Sequence, residues 1–276
     1  MSDTTLEQRT HQIERVRHTL KIRVLTVLRT EPLTPHMLRI TLGGADLDGF
    51  VSAAHDDHVK LFFPAPGSEQ PILPVLGQQG IIATGDATKP IARNYTPRRY
   101  DAARQELDID FMLHGDGPAS LWAAQARPGM TLGIGGPRGS LVVADDFDWY
   151  LLVGDQTALP AIARRLEELP PQARALAVIA IADADEKIRL HSNAQTEVIW
   201  LDQGQAANDV ELFLSTLKGL ALPDGEGYAW VAAELASAQA IRRYLLQERG
   251  LHKNRVHAAS YWRNGASEHH QTHDDE

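Results

Sequence analysis

The chain has no cysteine, no long apolar run and no excess of positive charge, and each lack removes a class of protein. Without cysteine there is no disulfide framework, cysteine zinc site, cysteine-ligated iron–sulfur cluster or thiol chemistry, so any electron carrier must be organic and bound. No stretch approaches the roughly 20 apolar residues that span a bilayer, and residues 2–10 are polar rather than a charged stub leading into an apolar signal core. A cytoplasmic protein without a membrane partner is therefore expected. The formal charge of −9 argues against a nucleic-acid or anionic-membrane binder, while leaving room for a local basic pocket.

What is present is the composition of a folded protein, 43% hydrophobic and 23% charged over 276 residues, enough for two domains or one large one. Periodicity divides it. Between residues 21 and 141 side chains mostly alternate, as in Ile22/Val24/Thr26, 37–42, Val59/Leu61/Phe63 and Leu107/Ile109/Phe111/Leu113, with Pro and Gly between. This predicts an antiparallel sheet or β-barrel, interrupted by one helix over 118–126 that opens on proline. After residue 145 short apolar runs recur at 149–153, 176–181, 198–201, 228–232 and 256–259, with helical segments over 159–169, 210–217 and 236–249. Strand and helix in repetition predict a parallel, doubly wound, Rossmann-like α/β sheet. The expected organisation is an amphipathic helix or frayed arm over 1–20, a β-barrel over 21–145, an α/β domain over 146–265 and a disordered tail over 266–276. A cofactor can lie between two such domains.

Three segments carry chemistry. In Arg93-Asn94-Tyr95-Thr96-Pro97-Arg98-Arg99, arginine forks suit phosphate, an aromatic ring suits a flat heterocycle and a strand end can bond its edge; the same residues also suit a solvated barrel edge. His114-Gly115-Asp116-Gly117-Pro118-Ala119-Ser120-Leu121-Trp122 is a strand end, a glycine-rich turn and a helix start. It fits a diphosphate cradle of free amides, or simply a helix cap. Gly154-Asp155-Gln156-Thr157-Ala158-Leu159-Pro160 is the first strand-to-helix turn of the second half, where doubly wound folds bind dinucleotides, although it lacks the G-x-G-x-x-G pattern. Gly133-Ile134-Gly135-Gly136-Pro137-Arg138 also fails that pattern and is expected to be a tight turn.

These three strings, with His58-Val59-Lys60-Leu61-Phe62-Phe63-Pro64 before them and Tyr261-Trp262-Arg263-Asn264-Gly265 after them, resemble the siderophore-interacting proteins, FAD-dependent ferric-siderophore reductases of the ferredoxin-reductase superfamily. The resemblance spans residues 21–265 with five motifs in the family's order. It implies that Arg93, Tyr95, Thr96 and Arg98 contact the flavin and its phosphates, and that His114 with Gly117, Ala119 and Ser120 binds the rest of FAD. It further implies that Asp155, Thr157, Ala158 and Glu234 face NADPH or NADH, and that Lys60, Arg138 and Arg263 receive the anionic ferric siderophore. Lys60 alternates with Val59 and Leu61 and so points away from the apolar face. One departure is Ala232-Ala233-Glu234 where the family has Ala-Gly-Glu, a methyl that would crowd an approaching backbone.

No catalytic side chain is required, because hydride and electron transfer place the chemistry on the cofactor. Two other classes fit the same residues less well: a flavin relay exchanging electrons with a ferredoxin, and a siderophore binder without redox activity. No G-x-S-x-G nucleophile motif occurs. The histidines of 269–273, and His55 with His58, are expected to hold no metal. Lys187 and Arg189 suit a 2′-phosphate, whereas Asp183 and Asp185 in the same loop suit a ribose hydroxyl; the expected donor is NADPH, with NADH the alternative.

Overall fold

Side-chain alternation resolves into two packed sheets in the computed structural model, which describes residues 11–65, 67–77, 80–82, 90–115, 117–205, 208–265 and 271–272. The first half supplies β1 (Ile13–Arg17), β2 (Ile22–Pro32), β3 (Met37–Gly43), β4 (Val59–Phe63), β5 (Val75–Gly77), β6 (Gly80–Ile82), β7 (Ile91–Tyr95), β8 (Arg99–Asp101), β9 (Glu106–Met112), α1 (Pro118–Ala124), β10 (Thr131–Gly135) and β11 (Gly139–Val143). Seven of these strands form a curled antiparallel sheet in the order β7-β4-β10-β2-β3-β9-β8. In β4, Val59, Leu61 and Phe63 turn into its core beside Ile40 and Phe111, and α1 closes one end with Trp122 and Ala123. Lys60 takes the opposite face, as period-2 geometry requires.

Two expectations need correction here. Residues 13–17 are neither helix nor frayed arm: β1 pairs antiparallel with β11, Ile13 opposite Val143 and Arg17 opposite Gly139. The partner lies more than a hundred residues away, so local pattern could not reveal the ladder. Residues 1–10 lie outside the described residues. Gly133 and Gly135 belong to β10 rather than to a turn, and a Cβ at either would press on the Phe62 side chain at 3.1 Å. The turn itself is Gly136-Pro137-Arg138, where Gly136 has φ 96°.

The second half alternates β12 (Trp149–Asp155), α2 (Leu159–Glu168), β13 (Arg174–Ile181), β14 (Gln195–Asp202), α3 (Asp209–Gly219), β15 (Gly227–Glu234), α4 (Leu235–Gln247) and β16 (Val256–Trp262). These strands lie parallel in the order β14-β13-β12-β15-β16. A last strand, β17 (Gln271–Thr272), pairs antiparallel with β16, so residues 271–272 of the expected disordered tail are ordered; 266–270 and 273–276 lie outside the described residues. β12 is apolar from Trp149 to Gly154 because both faces are covered. Tyr150 and Leu152 pack toward α2, while Trp149, Leu151 and Val153 pack toward α3 and α4.

Polar groups clasp the two sheets together. The Arg98 guanidinium donates to Glu167 at 2.9 and 2.5 Å, Arg164 donates to the carbonyls of Ser52 and Pro97 at 3.0 Å each, and buried Glu186 accepts from Thr34 Oγ1 at 2.5 Å and meets His36 Nδ1 at 2.7 Å. His55 is buried edge-on against Trp230, ring centroids 5.1 Å apart, and its Nδ1 has no partner. Burial pushes its pKa down to about 3. The unfolded chain, with an ordinary histidine pKa near 6.5, binds the extra proton between those values, so stability falls as pH drops through that window. From pH 7 to pH 5 this one residue is expected to cost about 2 kcal/mol. Denaturant midpoints of the wild type and His55→Gln at both pH values check it, because carboxylates common to both cancel. A variant with the same pH slope as the wild type would contradict it.

Candidate functional site

A cleft of about 430 Å³ opens where the carboxyl ends of β12 and β16 meet β7, the end of β9 and the start of α1. One wall is Arg93, Asn94, Tyr95 and Thr96 from β7 and the residue after it; His114, Gly117, Ala119 and Ser120 continue that wall. The other wall is Asp155, Gln156 and Thr157 from the β12–α2 turn with Tyr261, Trp262 and Arg263 from the end of β16. This is the crevice at the strand-order switch of a doubly wound sheet, covered by the antiparallel sheet.

On the first wall the Tyr95 ring leans on Phe111, centroids 4.5 Å apart, and burial pushes its phenol well above the ordinary range. Tyr95 is thus held as a neutral apolar plate. The Ser120 hydroxyl accepts from the His114 amide at 3.0 Å, tying the end of β9 to the start of α1. Gly115 takes φ 54°, and a Cβ on Gly117 would meet nothing within 4 Å, so the chain here faces open space. Asn94 Oδ1 is buried without a hydrogen-bond partner. A buried amide oxygen in that state costs on the order of 1–3 kcal/mol unless a ligand supplies a donor.

On the second wall Asp155 is buried, and its carboxylate is surrounded by donors: Thr157 N at 2.9 Å and Thr157 Oγ1 at 2.5 Å on Oδ1, Trp262 Nε1 at 2.8 Å and Glu234 N at 3.1 Å on Oδ2. Burial pushes its pKa up, and these hydrogen bonds oppose the rise. Tyr261 and Trp262 are adjacent in β16 yet both line the cleft, because the register shifts at Ala233/Glu234 so that Ala233 faces Ser260 and Glu234 faces Trp262. A bulge of this kind re-aims side chains that would otherwise alternate.

A basic group gathers at the cleft. Arg263 and His58 line it, and the charges of Lys60 and Arg138 act on His58, whose pKa is lowered first by lost hydration and then by these two cations, against Asp56. Lys60 and Arg138 themselves do not form the wall.

The structure therefore brings most of the sequence-predicted residues together; besides Lys60 and Arg138, three others stand off the wall. Arg98 turns its guanidinium onto Glu167 rather than into the cleft. Ala158 is wholly buried, where a Cβ on Gly154 would come within 2.5 Å of its methyl and 2.6 Å of the Ala232 carbonyl. It keeps the backbones close and touches no solvent. Glu234 caps α4, Oε2 accepting from Ala236 N at 2.5 Å, and is not part of the wall. Sequence reasoning assigned no role to Asn94, Gln203, Tyr261 or Trp262, all of which line the cleft. Tyr261 and Trp262 stood in a quoted segment, but the bulge that aims them has no local signal.

Residues 26–141 match the family model of a siderophore-interacting FAD-binding domain, and residues 147–265 that of siderophore-interacting protein. The chain belongs to the siderophore-interacting protein family. It is 39% identical over 254 residues to the NADPH-dependent ferric-chelate reductase of Escherichia coli, covering 90% of this chain and 96% of the relative. Identity to the ferric vibriobactin reductase ViuB of Vibrio cholerae is 34% over 251 residues, 89% of this chain and 91% of that one. A siderophore utilization protein from T. fusca superimposes with a TM-score of 0.84 at 40% identity, over 92% of this chain and 97% of the other. The two-sheet arrangement is that of the ferredoxin-reductase fold. The first wall suits the family's FAD: an arginine of the kind that can pair with phosphate, a neutral aromatic plate, open backbone at Gly117 and the unpartnered Asn94 oxygen. Among the described residues no helix is long and apolar enough to cross a membrane.

Proposed function

We propose that this protein is an FAD-dependent ferric-siderophore reductase, drawing electrons from NADPH or NADH and reducing siderophore-bound Fe(III) to Fe(II). The observation that carries the proposal is a cleft whose one wall suits a flavin nucleotide and whose other wall is the carboxyl edge of a doubly wound sheet. The names of its relatives in E. coli and V. cholerae agree with it. The chemistry that FAD would supply when bound is acceptance of a hydride's two electrons and their release one at a time.

The chain's own residues bind, orient and neutralise. Arg93 would pair with phosphate, Tyr95 and Thr96 would hold the ring and its edge, and His114 with Gly117, Ala119 and Ser120 would seat the remainder of FAD. Arg263 at the cleft, with Lys60 and Arg138, whose charges reach His58 in its wall, lowers the cost of bringing an anionic chelate toward the flavin. Reduction loosens the metal, since hard oxygen donors hold a trivalent ion better than a divalent one. Iron is then released.

NADPH is the favoured donor. Asp183 Oδ1 is engaged by Asp185 N at 2.9 Å, and Lys187 and Arg189 stand exposed just beyond β13, where a 2′-phosphate would lie. These nucleotides are cytoplasmic reductants, which puts the reaction in that compartment. Anaerobic mixing of the yellow protein with NADPH or NADH tests the donor. Bleaching of the oxidised flavin by either supports it; bleaching by reduced ferredoxin alone would replace it with the relay.

A further inference from the structure

Asp155 stood among the residues expected to face the nicotinamide nucleotide, yet its carboxylate has no capacity left for one. Both oxygens are taken, each by two donors, and the donors come from three directions: the β12–α2 turn, the end of β15 and the end of β16. The turn's own amides are used internally as well. Thr157 N goes to Asp155 Oδ1 and Ala158 N to the Asp155 carbonyl at 3.0 Å, while Pro160 has no N–H. That wall does present to the cleft the indole of Trp262, 37% exposed, with its N–H fixed at 2.8 Å on Asp155. It can stand there only because the register shift opposite Glu234 turns it inward, and Asp155 bonds both partners of that shift, Glu234 through its amide and Trp262 through its indole.

We infer that Asp155 is a positioning residue, whose carboxylate clasps the bulged end of β16 to β12 and so sets the Trp262 ring as the plate against which the donor's nicotinamide ring is bound. The assignment of a nicotinamide donor rests on the reductase reading above. Trp262 makes the contact; Asp155 acts through it.

The test uses the full-length, FAD-loaded protein and two variants, Asp155→Asn and Trp262→Phe. Asparagine keeps the volume but leaves one acceptor oxygen for two pairs of donors, and phenylalanine keeps a ring while deleting the indole N–H. In a ¹H–¹⁵N spectrum the Trp262 indole signal, identified by its loss in Trp262→Phe, should move upfield and exchange faster in Asp155→Asn. Losing a charge-assisted hydrogen bond of this kind should raise the Kd for NADP⁺, titrated without turnover, about tenfold in either variant. The double variant should be little worse than either, because both break one linkage. An unmoved indole signal, or losses in the two variants that multiply in the double, would overturn the clasp. If Asp155→Asn fails to fold, Trp262→Phe decides: unchanged NADP⁺ affinity overturns the proposal. Should the wild-type protein bind neither NADP⁺ nor NAD⁺, the donor assignment fails, and the indole signal alone upholds or overturns the clasp.

Discussion

Replacing Arg93 by alanine is expected to give a folded protein that loses its yellow colour on gel filtration. Arg93 is a half-buried strand residue in β7 that lines the cleft and whose Nη1 donates to the carbonyl of its own neighbour Ala92 at 2.6 Å. With Arg98 committed to Glu167, Arg93 is the arginine of that segment left to the cleft wall. Loss of a charge-assisted, bidentate phosphate contact should raise the Kd for FAD by roughly tenfold to a hundredfold. Flavin titration by fluorescence measures it, and far-ultraviolet circular dichroism confirms the fold. Arg98→Ala should behave differently, lowering stability through the lost contact between the sheets while shifting FAD affinity far less. If Arg98→Ala discharged the flavin and Arg93→Ala did not, the assignment of the first wall would be wrong.

The second large effect is expected from the basic group. A Lys60→Ala/Arg263→Ala double variant should retain FAD and still be bleached by NADPH, yet reduce an anionic ferric chelate roughly a hundredfold less efficiently, at about 1–1.5 kcal/mol for each charge. The loss should fall mainly on KM, because these cations attract the chelate before and during electron transfer alike. It should shrink at high salt and with an uncharged chelate, since the Debye length falls to about 3 Å at 1 M. Equal loss for charged and neutral chelates would point instead to a distorted cleft.

Much of this arrangement was legible in the residues. The run from Trp149 to Val153 announces a strand buried on both faces, and Lys60 between Val59 and Leu61 announces a side chain on the far face of β4. What escaped depended on contacts between distant segments. β1 takes its ladder from β11, and nothing in Ile13-Glu14-Arg15-Val16-Arg17 says so. Arg93 and Arg98 are alike as residue types; only Glu167, reaching over from α2, separates a cleft arginine from a strut. Ala158 and Asp155 lie in a turn whose position promised nucleotide contact, yet packing against Gly154 and the four donors around the carboxylate turn them to internal work. Trp262 depends on a register shift between β15 and β16, which no local periodicity records.

The central claim is that electrons pass from a nicotinamide nucleotide through this protein to siderophore-bound iron. The most direct measurement is an anaerobic ferrous-trap assay of the FAD-loaded protein with NADPH and NADH across catecholate, hydroxamate and citrate chelates. Two ferrous ions should form for each nucleotide oxidised, because a hydride carries two electrons and each iron takes one. Nucleotide oxidation without trapped Fe(II), or no reduction of any ferric chelate by a flavin that either nucleotide has bleached, would contradict it.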